Sequence, residues 1–377
     1  ENSGSFFDEF ESFDMPISLP EIVIPHVEIY EFSYYESDEA GEGYLCEGFT
    51  VDGNSMIQTG TLSSDIVIPD TYDDGEHGVL PVIGIDSDAF SSNTYITSVQ
   101  LPESTKLLGS NAFSWCSNLS AINIPDGCYG IGSSALARCN LTSITLPSSF
   151  TGNTITEHSS THGTYSLTAN NCLEINRQLT EVNLPNTLEV LPSTFFRSCS
   201  SIETIDLPDT LTEIGNNAFV YCSGLKSITI PQSVENIGIE AFACCSSLKT
   251  VNFYGSSEIL NRTFAMCTSL DTIVIPDGVN ELSGTFIDCT SLKDIEISNT
   301  VNHLSGTFDG CSALETIFIP NSVIDISTLY VSNGSFVASG YYRLFENCES
   351  LKEVIIDNTE NTLSVSVPDG CTITWLR

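Results

Sequence analysis

The chain has 377 residues, 41% of them hydrophobic, with 49 acidic against 11 basic side chains and a formal charge of −38. A field of that sign repels phosphate backbones and anionic lipid, which argues against nucleic acid or a membrane surface as partner. No run of 18 apolar residues is present, so no membrane-spanning helix is expected.

Residues 1–25 are acidic and aromatic without periodicity and read as a linker or arm. The first basic residue is Lys106. Residues 26–62 are expected to form an N-terminal β cap, from strand-like runs at Val27 to Tyr35 and from Ile57 onward. Ser63 to Phe90 reads as an atypical first repeat, with Ile66-Val67-Ile68-Pro69 as its strand and Ala89-Phe90 as its turn. Within it, Asp70 to Glu76 is acidic and turn-like but lacks the alternating ligand spacing of a calcium loop.

From about residue 93 one unit recurs eleven times, opening at Ile96, Leu119, Leu141, Leu179, Ile202, Leu225, Leu248, Leu270, Leu292, Leu314 and Leu351. Most steps are 22 or 23 residues, and two of 38 and 37 residues carry insertions at about 148–171 and 327–340. A unit this short cannot bury its own apolar face, so the copies must stack into a solenoid spanning about 63–356. The copy opening at Leu225 shows the parts. Ile228 and Ile230 alternate with polar residues as a half-buried strand does, and Pro231 ends it. Val234 and Ile237 form a second apolar pair, Gly238 marks a turn, and Ala241 and Cys245 lie on one face of a short helical turn.

This pattern, Leu-x-x-Ile-x-Ile-Pro-x-x-Val-x-x-Ile-Gly-x-x-Ala-Phe-x-x-Cys, resembles the BspA-like class of leucine-rich repeats. The resemblance implies a curved, elongated solenoid with a parallel β ladder on one face and short helical turns and strands elsewhere. It further implies a secreted or surface-attached protein that binds other macromolecules, as adhesins do, and no chemistry, because the shared residues are core and turn positions. Two later copies depart from it. Leu282-Ser283-Gly284-Thr285-Phe286 and Leu304-Ser305-Gly306-Thr307-Phe308 read as a later duplication that changes local curvature.

Nine of the fourteen cysteines, among them Cys116, Cys199, Cys245 and Cys348, recur just before the opening residue of the next copy. A ladder of buried free thiols is expected, with occasional bridges between rungs left open. Cys128, Cys172 and Cys371 fall on other core positions, which leaves Cys46 and Cys244 as the exposed candidates. The first insertion, rich in Ser, Thr and Gly, reads as a mobile protruding loop; His158 and His162 within it do not make a convincing metal pair. No catalytic residues, metal ligands or cofactor site are assigned.

In each strand the residue between the two buried ones must face outward. That column is polar from Gln100 to Asn252 and then reads Val274, Glu296, Phe318 and Ile355. The second insertion carries Tyr330 and Phe336 and is followed by Tyr341 and Tyr342. Val274, Phe318, Tyr330, Phe336, Tyr341, Tyr342 and Ile355 are therefore the candidate ligand-binding residues, unless the insertion folds back over Phe318 and Ile355 and buries them. Residues 357–377 are expected to form a C-terminal β cap, with Val354 to Ile356 and Val365 to Val367 as a closing strand pair. The expected function is non-catalytic binding at the cell surface or outside the cell, to an extracellular protein or glycan. An N-terminal lipid anchor is the attachment expected if one exists. A carbohydrate-binding module for nutrient capture and a passive surface spacer are the competing readings.

Overall fold

The computed structural model describes residues 29–37, 39–50, 64–159, 163–331, 340–357 and 363–376. The alternating strand residues behave as their period requires: Ile228 and Ile230 are buried and Thr229 between them is exposed. Neighbouring copies pair in parallel and in register, Ile228 opposite Val251 and Thr229 opposite Asn252. The result is a curved β-solenoid of about twelve turns with three faces.

The first ladder runs from Asp65–Val67 to Thr372–Leu376 as five short parallel sheets. The second is formed by the Val-x-x-Ile segments, for example Val190–Leu191, Glu213–Ile214 and Asn236–Ile237. The Gly-x-x-Ala-Phe-x-x-Cys segments make the third face. No α-helix occurs among the described residues. The helical turns expected there are single turns closed by bonds such as Ala241 N–H to Gly238 O and Cys245 N–H to Phe242 O. All but the last hold two residues at positive φ, Glu240 and Cys244 in this coil, so that alternate amides bond the next coil: Phe219 N–H to Ala241 O and Phe242 N–H to Thr263 O.

Inside, the phenylalanines of successive turns stack nearly parallel. Phe219 and Phe242 have centroids 5.1 Å apart, Phe242 and Phe264 5.6 Å, and the series continues through Phe286 and Phe308 to Phe345. Leu136 and Leu173 interrupt it toward the N-terminal end.

The cysteine column lies beside this stack, and each thiol donates to the carbonyl of the aromatic position one coil earlier. Cys222 Sγ reaches Phe196 O at 3.1 Å, Cys245 reaches Phe219 O at 3.2 Å and Cys267 reaches Phe242 O at 3.2 Å. Asn176 replaces cysteine in one coil and sends its Nδ2 to Leu136 O at 2.8 Å, which identifies hydrogen-bond donation as the property the position requires. All fourteen cysteines are free, and burial pushes the thiols of the column upward, Cys116 and Cys199 to about 12. Cys46 and Cys244, expected to be exposed, are both buried. Cys46 lies in the second strand of the N-terminal hairpin and joins the main core, and Cys244 is covered by Met266. Only Cys371 is half-exposed. A thiol reagent such as Ellman's should therefore modify about one thiol in native buffer and all fourteen in denaturant. Rapid native modification of several would contradict this packing.

The N-terminal end is closed by an antiparallel hairpin, Ile29–Ser37 with Gly41–Thr50, whose second strand runs parallel to Val79–Ile85. The first insertion is not a protruding loop. It forms a second hairpin, Ile155–Ser159 with Gly163–Leu167, joined to the first at Ser37 and Ser159, and Leu167 is buried with Tyr35, Leu45, Ile83 and Leu107. The side chains of His158 and His162 lie outside the described residues. At the other end Glu353–Asp357 pairs with Thr372–Leu376, not with 365–367 as the sequence suggested, because the chain first makes a turn at Pro368.

Candidate interaction surface

The outward column of the first ladder is laid out as its period dictates. Gln100, Asn123, Thr145, Asn183, Asp206, Thr229 and Asn252 are all exposed. Val274 is 57% exposed and Phe318 42%. Ile355 stands directly beside Phe318 and is half-buried, flanked on its other side by Thr374 of the closing strand. Adjacent rungs are about 4.8 Å apart. Val274, Phe318 and Ile355 thus form one short apolar run, interrupted only by Glu296.

The second insertion does not cover this run. Its hairpin, Leu329–Val331 with Gly340–Tyr342, packs on the turn face instead. Leu329 and Tyr342 lie over Val220, Ala243, Ala265 and Ile287, the residues that follow the stacked phenylalanines in four successive coils. In the other coils that column is Ser91, Ser114, Glu174, Arg197, Asp309 or Glu346, with Ala137 the apolar exception. The switch from polar to apolar at Val220 to Ile287 is a sequence signal for a covered face, and reading only the strand column overlooked it. It also accounts for Cys244. The equivalent residues Trp115 and Tyr221 are exposed, whereas Cys244 belongs to the covered cluster.

The same docking explains Gly284 and Gly306. Glu240 and Arg262 occupy equivalent turns at φ 57° and 50°, so positive φ alone does not demand glycine there. Close approach does: a Cβ on Gly284 would lie 2.6 Å from the Leu329 side chain, and one on Gly306 2.8 Å from Tyr342 O. The glycines of these two copies thus provide a landing site for the insertion.

The candidate residues accordingly separate onto two faces. Val274, Phe318 and Ile355 share the ladder; Tyr341, 71% exposed, and Tyr342, partly buried, belong to the hairpin on the turn face. The side chain of Tyr330 and all of Phe336 lie outside the described residues.

Basic residues are tied up between coils. Lys226, Lys249, Lys293 and Lys352 follow the opening leucine of their copies, and pair with Glu203, Asp271, Asp271 and Glu315 of neighbouring coils at 2.6, 3.7, 3.3 and 2.6 Å. The Lys352 hydrogen bond and charge hold Glu315 below its ordinary carboxylate value. On the turn face, buried Glu174 accepts Arg197 at 3.0 Å, and buried Glu240 accepts Arg262 at 2.8 Å. Asp309, near the insertion, is pushed up to about 6, chiefly by burial, with Glu346 and Asp288 adding repulsion. The remaining surface is strongly acidic.

Little chemistry is assembled. Among the described residues no group of three or more His, Cys, Asp or Glu side chains could hold a metal. In the acidic turn, Asp74 accepts the Glu76 and His77 amides and the His77 ring at 2.7 Å, and the ring holds its carboxyl well below the usual range. His77 is raised in return and stacks on Tyr34 at 3.9 Å. That carboxylate pins a loop.

A family model described as the BspA type leucine rich repeat region (6 copies) matches residues 82–163, 166–284 and 254–339. A solved leucine-rich repeat protein from Bacteroides ovatus is 20% identical, with 94% of this chain and 100% of that one covered and a TM-score of 0.51. A leucine rich cell surface protein from Faecalibacterium prausnitzii is 18% identical over 93% and 95% of the two chains, with a TM-score of 0.45. The pneumococcal vaccine antigen PcpA is 16% identical over 93% of each, with a TM-score of 0.42. No curated protein matches the sequence. The Bacteroides ovatus likeness shows a shared fold.

Proposed function

The chain belongs to the BspA-type leucine-rich repeat family, and from that premise we propose that it is a non-catalytic cell-surface or extracellular binding protein whose partner is another protein. The observation that carries this reading is the run of Val274, Phe318 and Ile355, which follows seven polar rungs from Gln100 to Asn252; Val67, at the far end, is the other exposed apolar residue of that column among the described residues. Apolar side chains clustered on a rigid, exposed sheet lose little entropy on docking and offer a desolvated centre ringed by polar residues. The acidic surroundings favour a partner with a basic rim, which would be steered in at low salt. Tyr341, on the turn face, is proposed as a separate contact, and engagement of both faces would raise avidity.

The test is saturable binding to immobilised extracellular-matrix proteins and mucins, comparing the native chain with Phe318→Asp and Val274→Asp. Each substitution is expected to weaken binding at least about tenfold while changing unfolding free energy by less than about 0.5 kcal/mol, because both side chains are exposed. Saturable binding that survives the double substitution unchanged would rule out this patch.

A further inference from the structure

The first ladder and the repeat pattern break within two coils of each other. In the coil opening at Ile202, residues 204–206 form no strand, so the ladder stops at Glu181–Asn183 and resumes at Ser227–Ile230. Two coils later the Ile-Pro of the consensus is replaced by Phe253-Tyr254. Pro208 and Pro231 hold the equivalent position in the two preceding coils. Tyr254, unlike proline, donates its amide, to Ile230 O at 3.0 Å. Gly255 then lets the chain tuck inward; a Cβ there would lie 2.7 Å from Pro231 O and 2.8 Å from Val234 O.

These departures surround an open cleft of about 560 Å3 lined by Leu207, Asp209, Thr229, Pro231, Gln232 and Tyr254. That volume falls within the roughly 300–1,000 Å3 of small-molecule sites. Tyr254 is 65% exposed. Asp209 brings a carboxylate, Gln232 an amide that both donates and accepts, and Thr229 a hydroxyl that accepts Asn252 Nδ2 at 3.2 Å and keeps its own proton to donate.

We propose that this cleft binds a neutral carbohydrate. A pyranose ring has an apolar C–H face suited to lie on the tyrosine, and equatorial hydroxyls suited to a fixed set of mixed donors and acceptors. Asp209 and the overall charge disfavour sialylated or uronic-acid sugars. The site is separate from the apolar ladder run and stands without it.

The experiment is saturation-transfer NMR and calorimetry of the full chain with cello-, chito-, laminari- and manno-tetraose, plus digalacturonate and tetralysine. At least one neutral tetraose is expected to bind saturably. Tyr254→Ala should weaken it at least about tenfold, and Tyr254→Phe, which keeps the ring, should restore it to within about threefold. Phe318→Asp should leave it unchanged, which separates this site from the protein-binding patch. Digalacturonate should gain affinity in Asp209→Asn. Binding by none of the four tetraoses, sugar binding indifferent to Tyr254→Ala, or binding of tetralysine alone would overturn the proposal.

Discussion

Phe242→Ala is expected to lower the unfolding free energy by about 3–5 kcal/mol, read as a shift of the urea midpoint. The ring is fully buried and stacked on both sides, at 5.1 Å from Phe219 and 5.6 Å from Phe264, so truncation opens a void that two neighbouring coils share. In a solenoid each coil is held only by its neighbours, and losing both interfaces at mid-stack should split one transition into two. Phe242→Leu should be much milder, since Leu136 and Leu173 fill the equivalent place with complete burial. A loss below about 1 kcal/mol in the alanine variant would mean that the stack does not hold the coils together.

Gly306→Val should cost about 2–4 kcal/mol and lift the second hairpin from the turn face. Two causes add. A β-branched residue is strained at the φ of 56° found there, and its Cβ would lie 2.8 Å from both Tyr342 O and the Leu329 Cβ. Release should uncover Val220, Ala243, Ala265 and Ile287, giving a rise in dye binding to apolar surface and faster proteolysis between Leu329 and Tyr342. Unchanged protease resistance with unchanged stability would show that the hairpin is not seated on this glycine.

The repeat made the solenoid and its inward and outward positions legible, because a two-residue period leaves no freedom about which side is buried. Ile228 and Ile230 went inside and Thr229 and Phe318 outside as that period requires. What one coil cannot encode is what lies on top of it. Cys244 holds the same turn position as exposed Trp115 and Tyr221, and only the overlying cluster distinguishes it. The first insertion was misread for a related reason. Its Ser, Thr and Gly content suits a free loop, but Leu167 finds Tyr35 and Leu45 of the N-terminal hairpin, a partner more than a hundred residues away. The candidate site was legible residue by residue and not as a unit. The ladder run follows from alternation, whereas the side of the solenoid on which an insertion lands is decided by Gly284 and Gly306, which read in isolation as conformational choices.

The three faces also differ in how they resist load. The turn face is laced by amide bonds from coil to coil, and the thiol column adds a further link at nearly every step. The first ladder is divided into five separate sheets, with no strand at 204–206. A pull along the axis therefore meets a stiff spine on one side and a segmented edge on the other. Under such a pull the molecule is expected to bend as a leaf spring does, opening at the gaps between sheets and fanning out the ladder face while the phenylalanine stack stays closed.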